Sequence, residues 1–298
     1  MDSSRSDPMR LMIFGAGYSG KAIGQHFIQQ GIPVSGTTRS PAKAKALSDL
    51  GIEPLVFDGQ RLSDEIIQAM ACATHVVQSI APGSDGDPLL RLTQGALKTW
   101  MPKVQWLAYL STVGVYGDHQ GAWVDEDTVC KPVSVRSKER VEAEQAWGRA
   151  ALAAGVPLST LRLSGIYGPG RNGLVNMAEG TARRLVKKDQ VFNRIRVEDI
   201  AAATWFLAGR NEQGIFNITD HEPAPPQDVV AEAARLMEVE PPPEQAFETA
   251  ELSPMARSFY GENKRVMNAK VRALGFAFAY PDYRVSLSQL WSSGRWRG

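Results

Sequence analysis

From Met9 to Leu163, short apolar runs alternate with longer stretches in which apolar residues recur at helical spacing, and this alternation predicts a repeating β-α-β order. Met9–Phe14, Ile32–Thr37, Glu53–Asp58, His75–Ile80, Gln105–Leu110 and Val156–Leu163 read as six strands. Between them Tyr18–Gln30, stopped by Gly31, reads as a helix. So do Ser40–Gly51 with proline at its first position, Asp64–Ala71, Pro88–Met101, and Val133–Ala154 closed by Gly155. Strands connected in this way predict an α/β fold with a doubly wound parallel sheet and right-handed crossovers. Ligands on such sheets sit at the carboxyl ends of the strands.

After Ser164 the alternation is lost. GIYGPGRNG is turn-rich, Leu174–Lys188 predicts a basic helix, Val197–Ala208 a second helix and Gly214–Ile218 a late strand. Pro223–Pro226 and Pro241–Pro243 read as connectors between short helices. The expected organisation is a sheet domain over residues 1–163 and a smaller C-terminal substrate lobe over 164–298, with about 193–222 returning to the first. The first ten or so residues read as a mobile tail.

Composition narrows the function. With 298 residues, 43% of them hydrophobic, the chain can bury a sizeable core. A formal charge of +1 leaves no electrostatic footprint for nucleic acid or an anionic membrane. The N-terminal MDSSRSDP lacks an apolar signal core, and no stretch approaches the ~18 consecutive apolar residues of a membrane span, so the expected location is the cytoplasm. Cys72 and Cys130 are too few for a disulfide framework or a four-ligand zinc site, and no metal is expected.

The first apolar run carries the clearest candidate chemistry. RLMIFGAGYSG ends strand one at Gly15, Gly17 and Gly20, with Tyr18 and Ser19 opening the helix. A strand that turns through glycines into a helix presents backbone N–H groups to a dinucleotide pyrophosphate. About 20 positions on, the residue closing strand two faces the adenine ribose, where an acid selects NAD. That stretch is Thr37-Thr38-Arg39-Ser40, without a carboxylate. Arg39 can grip a 2′-phosphate bidentately, with the three hydroxyls of Thr37, Thr38 and Ser40 donating to it, so NADP(H) is preferred and NAD(H) stays open. The alternative for Arg39 is a solvated charge before the next helix. Asp58, closing strand three, suits the adenine amino group, or else forms an Asx turn before Gly59. Ser79, Ile80 and Ala81 at the end of strand four and Gly165 and Ile166 just beyond strand six lie at strand ends where the cofactor would be bordered.

Four ordered segments add a resemblance: LSTVGVYGDHQGAWVDEDT (Leu110–Thr128), SVRSKERVEAE (Ser134–Glu144), LRLSGIYGPG (Leu161–Gly170) and RIRVEDIAAA (Arg194–Ala203). With the glycine turn, they resemble the extended short-chain dehydrogenase/reductase family, the NAD-dependent epimerase/dehydratase group. The resemblance implies a Rossmann fold, a small-molecule substrate or effector such as a sugar nucleotide or carbonyl compound, and a homodimer. It also assigns Thr112 as the hydroxyl that meets substrate and Lys138 as the group that holds the nicotinamide ribose. In that family a tyrosine four residues before the lysine exchanges a proton with the substrate oxygen, the lysine cation lowering its pKa. Here that position is Ser134, whose hydroxyl is shorter and does not ionise near neutrality without an adjacent base. Phe14 stands where the family has a glycine, and Arg196 where it has a histidine, marking an atypical member.

Tyr116 and Tyr167 are the candidates to replace the missing acid or to shape the substrate side, and Arg171 is the candidate for an anionic substrate group. Arg183, Arg184, Lys187 and Lys188 either bind a phosphate or form a solvated helix face. Leu89, Leu92, Trp100, Val141, Trp147 and Ala151 pack either across a dimer or onto the chain's own sheet. His119 reads as a loop residue, His75 as structural, and His26 and His221 stand outside any motif. Two functions follow: an NADP(H)-dependent oxidoreductase or epimerase of atypical type, or a dinucleotide-binding sensor that turns nothing over.

Overall fold

The first strand ends because Gly15 adopts φ +85°, a left-handed conformation open to glycine, and the chain turns at once into a helix. A computed structural model describes residues 7–298; residues 1–6 of the expected tail lie outside them. In chain order the first half comprises β1 (Leu11–Phe14), α1 (Tyr18–Gln29), β2 (Val34–Thr38), α2 (Lys45–Ser48), β3 (Glu53–Val56), α3 (Asp64–Cys72) and β4 (His75–Gln78). Then follow α4 (Pro88–Thr93), α5 (Leu97–Trp100), β5 (Trp106–Thr112), β6 (Trp123–Val124), α6 (Val135–Ala154) and β7 (Leu158–Leu163). The remainder carries β8 (Gly165–Tyr167), α7 (Gly173–Ala178), β9 (Arg184–Val186), β10 (Arg194–Arg196), α8 (Val197–Ala208) and β11 (Gly214–Ile218). It closes with α9 (Pro226–Leu236), β12 (Glu244–Ala246), α10 (Pro254–Phe259), β13 (Arg265–Val266), α11 (Ala269–Ala273) and α12 (Tyr283–Ser292).

Among the described residues seven strands form the main sheet, in the order β11-β7-β5-β4-β1-β2-β3, with β1 parallel to both β2 and β4. This is the doubly wound Rossmann sheet, one strand wider than the six-strand count because the late strand joins its edge. The order reverses between β1 and β4, and the crevice beyond their carboxyl ends is the topological switch point at which such sheets take ligands.

Three predicted helices differ. Ser40–Gly51 becomes a 3-10 turn, Pro41–Lys43, followed by the short α2. Pro88–Met101 breaks into α4 and α5 because Gln94 and Gly95 both take positive φ. The basic helix Leu174–Lys188 stops at Ala178, and Gly180, at φ +68°, turns the chain toward β9, which pairs with β12. Tertiary partners decide that outcome: Leu185 is buried with Ala250 and Tyr260, and Arg184 pairs with Glu244 at 2.7 Å. Arg183 donates to the Glu251 carbonyl and Lys187 to that of Tyr260, so these cations are dispersed along a strand, not gathered on a helix face.

The chain divides into two compact units. One takes the chain through Thr112, then Ser134–Arg162 and Ile200–Phe216; the other comprises Val113–Val133, Leu163–Asp199 and Asn217–Gly298. In the first, Met12 and Phe14 of β1 share a core with Met70, Val76, Leu89, Leu107 and Trp147. Trp147 stacks on Tyr109 with ring centroids 6.2 Å apart. Leu89, Trp147 and Ala151 therefore pack on their own sheet, with Leu92 and Trp100 partly buried against it. In the second unit Leu174, Ala233, Tyr283, Leu287, Leu290 and Trp296 form the centre. Arg196 is buried there, bidentate to Glu198 at 2.6 and 2.8 Å, bonded to Ser286 and Gln289, and stacked 4.1 Å from the Tyr280 ring centroid. Through these bonds Arg196 anchors β10 to α12. No helix among the described residues is long and apolar enough to cross a membrane.

His75 opens β4 inside the sheet, its Nδ1 2.9 Å from Thr74 Oγ1, and burial pushes its pKa down to about 4. As pH falls, the unfolded chain binds this proton before the folded one, so stability is lost between about pH 6.5 and pH 4. We expect about 2 kcal/mol of loss by pH 5 from this group. Urea unfolding at pH 7.5 and pH 5 should show that loss reduced in His75→Leu; an unchanged pH dependence would assign it to other groups.

Candidate functional site

The glycine turn is built from three different constraints. Gly15 N–H donates to Thr37 Oγ1 and Ala16 N–H to the Thr37 carbonyl, both at 2.8 Å, which lashes the turn to β2. A Cβ on Gly15 would stand 2.9 Å from Ile80 Cγ1, and one on Gly20 would stand 2.8 Å from the Gly15 carbonyl oxygen. Both are glycine because the protein itself fills the space. A Cβ on Gly17 would meet nothing within 4 Å. Gly17 is also the N-cap of α1, contributing no capping side chain, and the first turn of α1 holds no acid. The positive end of a twelve-residue helix thus opens beside an exposed glycine, the arrangement that suits an anion brought close to backbone.

The first unit also holds the other cofactor candidates up to Lys138. Tyr18 is half-buried and Ser19 buried at the start of α1. After β4, Ser79 N–H donates to the Phe14 carbonyl at 2.8 Å and Ile80 covers Gly15, while Ala81 is exposed. At the end of β2, Thr38 and Ser40 are half-buried and Arg39 is exposed, without an ion pair among the described residues. Asp58 is exposed and accepts from Gln60 N–H at 2.9 Å, so the Asx turn is present. Thr112, half-buried, closes β5 directly after Ser111, whose hydroxyl donates to Glu144 of α6. Glu144 is held bidentately by Arg162 at 3.2 and 2.7 Å. Lys138 is exposed in the first turn of α6. Ser134 is the N-cap of that helix: its Oγ accepts from Ser137 N–H at 3.1 Å and lies 2.9 Å from Ser137 Oγ.

The second unit holds the remaining candidates. Tyr116 is fully buried, and its hydroxyl donates to Asn217 Oδ1 at 2.7 Å. His119 Nε2 lies 3.1 Å from the Tyr116 carbonyl oxygen. Gly165 N–H donates to the Asn193 carbonyl at 3.0 Å, and Ile166 and Tyr167 pair with Ile195 and Arg196. Burial pushes the Tyr167 phenol pKa well up. Arg171 is exposed in a turn secured by Asn172, whose Nδ2 donates to the Gly168 and Trp296 carbonyls, each at 2.8 Å.

A model of the NAD dependent epimerase/dehydratase family matches residues 11–219, from β1 through β11. The chain belongs to the NAD dependent epimerase/dehydratase family. Among solved structures, a functionally unknown conserved protein from Silicibacter pomeroyi DSS is 42% identical, with a TM-score of 0.87 over 96% of this chain and 99% of that one. The UDP-glucose 4-epimerase of Thermus thermophilus in complex with NAD is 20% identical, with a TM-score of 0.70 over 94% of this chain and 98% of that one. The human epimerase family protein SDR39U1 with NADPH is 16% identical, with a TM-score of 0.73 over 95% and 99% of the two chains. No curated protein matches the chain. The two more distant likenesses establish the fold.

Within this family member, sequence reasoning missed the groups that hold the turn in shape. Thr37 is a correction to the expected phosphate donors: its buried side chain is turned inward and accepts from Gly15 N–H, leaving Thr38 and Ser40 as the hydroxyl candidates. Gln78 and Asp87 are buried polar residues beside the Ser79–Ala81 loop. Asp87-Pro88, an N-cap residue followed by proline at the first helical position, was the local signal that could have found the latter.

Proposed function

We propose that this chain binds NADP(H) and is an oxidoreductase or epimerase of the extended short-chain dehydrogenase type that lacks the usual tyrosine. The observation that carries the reading is Gly17: backbone kept bare beside an uncapped helix N-terminus, at the sheet's switch point. Gly15, Gly17, Tyr18, Ser19 and Gly20 would hold the pyrophosphate, and Thr38, Arg39 and Ser40 the 2′-phosphate. Asp58, Ser79, Ile80, Ala81, Gly165 and Ile166 would border the cofactor, Lys138 would bind its ribose, and Thr112 would hold a substrate oxygen. When bound, a nicotinamide cofactor supplies hydride transfer. Tyr116, Tyr167 and Arg171 would serve the substrate, a carbonyl compound or a sugar nucleotide.

A second reading, a dinucleotide sensor without turnover, is favoured by Ser134. Its hydroxyl is engaged in capping α6, and Tyr116 directs its own hydroxyl to Asn217. Neither is arranged to pass a proton to substrate near neutrality.

Cofactor titrations followed by thermal unfolding test the binding. NADPH at about 100 times its Kd should add ~2.7 kcal/mol, with NADH needed at higher concentration for the same effect. Arg39→Ala should weaken NADPH about tenfold, ~1.4 kcal/mol, and leave NADH unchanged. Equal response of the wild type to both cofactors would remove the NADP preference. NADPH oxidation over a panel of aldehydes, ketones and sugar nucleotides then separates enzyme from sensor, since absence of turnover with cofactor bound supports the sensor.

A further inference from the structure

β4 ends on Gln78, a polar residue with no exposed surface at the end of a strand in the core. Its amide is held at both ends. Oε1 accepts from Ile80 N–H at 3.1 Å, while Nε2 donates to the two carboxylate oxygens of Asp87 at 3.0 and 2.8 Å. Asp87, 4% exposed, also accepts from Leu89 and Leu90 N–H at 2.9 and 3.1 Å as the N-cap of α4. A carboxylate only accepts and a backbone N–H only donates, so the amide between them has one workable orientation. The bonds form a directional chain from the cap of α4 to the backbone of Ile80. Ile80 is the residue that closes over Gly15: a Cβ there would stand 2.9 Å from its Cγ1 and 3.1 Å from its nitrogen.

We propose that Gln78 and Asp87 are positioning residues for dinucleotide binding, fixing the Ser79–Ala81 loop against Gly15 so that the glycine turn is preorganised for a pyrophosphate. This rests on the NAD(P) reading above. Neither side chain need touch the ligand; each acts through Ile80 and Gly15. Burying a glutamine and an aspartate has a desolvation cost that an apolar pair of the same size would avoid, so a packing role alone does not account for them.

Asp87→Asn is the decisive variant because it is isosteric. Its remaining oxygen can still cap α4, but its new NH2 faces the NH2 of Gln78. If Gln78 flips to accept, its own NH2 then meets Ile80 N–H, two donors face to face. Gln78→Leu removes the chain outright. Ser159→Ala is the stability control: Ser159 is buried in β7 and donates to the Glu212 carbonyl at 2.7 Å.

NADPH fluorescence titrations and urea unfolding on the full chain should show Kd raised about tenfold or more in Asp87→Asn and Gln78→Leu, ~1.4 kcal/mol. Ser159→Ala should lower the urea midpoint and leave Kd unchanged. In the wild type, NADPH should slow hydrogen exchange at the Ile80 amide more than at amides of β7, a readout that needs no variant. Wild-type binding with unaltered Kd in the folded variants, or with no added protection at Ile80, overturns the positioning role alone. Wild-type protein that binds neither NADPH nor NADH overturns it together with the reading on which it rests.

Discussion

Gly17→Ala is expected to leave the protein folded and to raise the Kd for NADPH about 100-fold, ~2.7 kcal/mol. At Gly17 φ is −80°, accessible to alanine, and a Cβ there meets no protein atom within 4 Å. No side chain or strand resists the substitution, and removing a glycine narrows the unfolded ensemble, so stability should change by less than about 1 kcal/mol. The methyl group instead occupies space that lies open beside the helix N-terminus. A pyrophosphate bound by backbone N–H groups must come close to that backbone, which one methyl prevents. Gly15→Ala and Gly20→Ala provide the contrast. They place Cβ atoms 2.9 Å from Ile80 and 2.8 Å from the Gly15 carbonyl oxygen, so they should lower the unfolding midpoint even without ligand. Paired melts and NADPH titrations read both quantities. A Gly17→Ala protein that binds NADPH within about threefold of wild type would show that nothing approaches this glycine closely.

Glu144→Ala should be among the most destabilising single changes in the first unit, by about 3–5 kcal/mol. The Glu144 and Arg162 side chains are 9% and 5% exposed, and their bidentate pair joins α6 to β7 while the Ser111 hydroxyl brings in β5. Removing the carboxylate leaves a guanidinium in the protein without its counter-charge, a far larger cost than losing an exposed ion pair. The double replacement Glu144→Leu with Arg162→Met removes both charges and should recover most of the loss. Urea unfolding of the two singles and the double measures the coupling. A loss below about 1 kcal/mol in Glu144→Ala would mean that water reaches the pair.

Local signals in the sequence carried much of the fold. The alternation of short apolar runs and helical stretches marked β1 to β5 and β7 to within a few residues, because side-chain period follows directly from backbone geometry. The same logic failed at Leu174–Lys188. Its apolar and basic residues satisfy a helical pattern, yet their partners lie far along the chain, in β12 and around Tyr260, and pairing with them draws Arg184–Val186 into a strand. The interrupted helix at Gln94 was missed for a related reason: a glutamine at φ 52° gives no warning in the sequence.

At the candidate site the division is sharper. By itself the sequence determined the glycine turn, the helix that follows it, the absence of an acid after β2 and the serine at position 134, since residue type and short spacing define all of these. Only the tertiary structure set how the glycines and the serine are placed. It separated Gly17, bare toward open space, from Gly15 and Gly20, bare because protein fills the space. It turned Thr37 inward, made Ser134 a helix cap, and joined Gln78, Asp87 and Ile80 into one chain of hydrogen bonds. Those outcomes depend on which donors, acceptors and carbon atoms meet across strands distant in sequence. Local periodicity and motif spacing contain no record of those meetings.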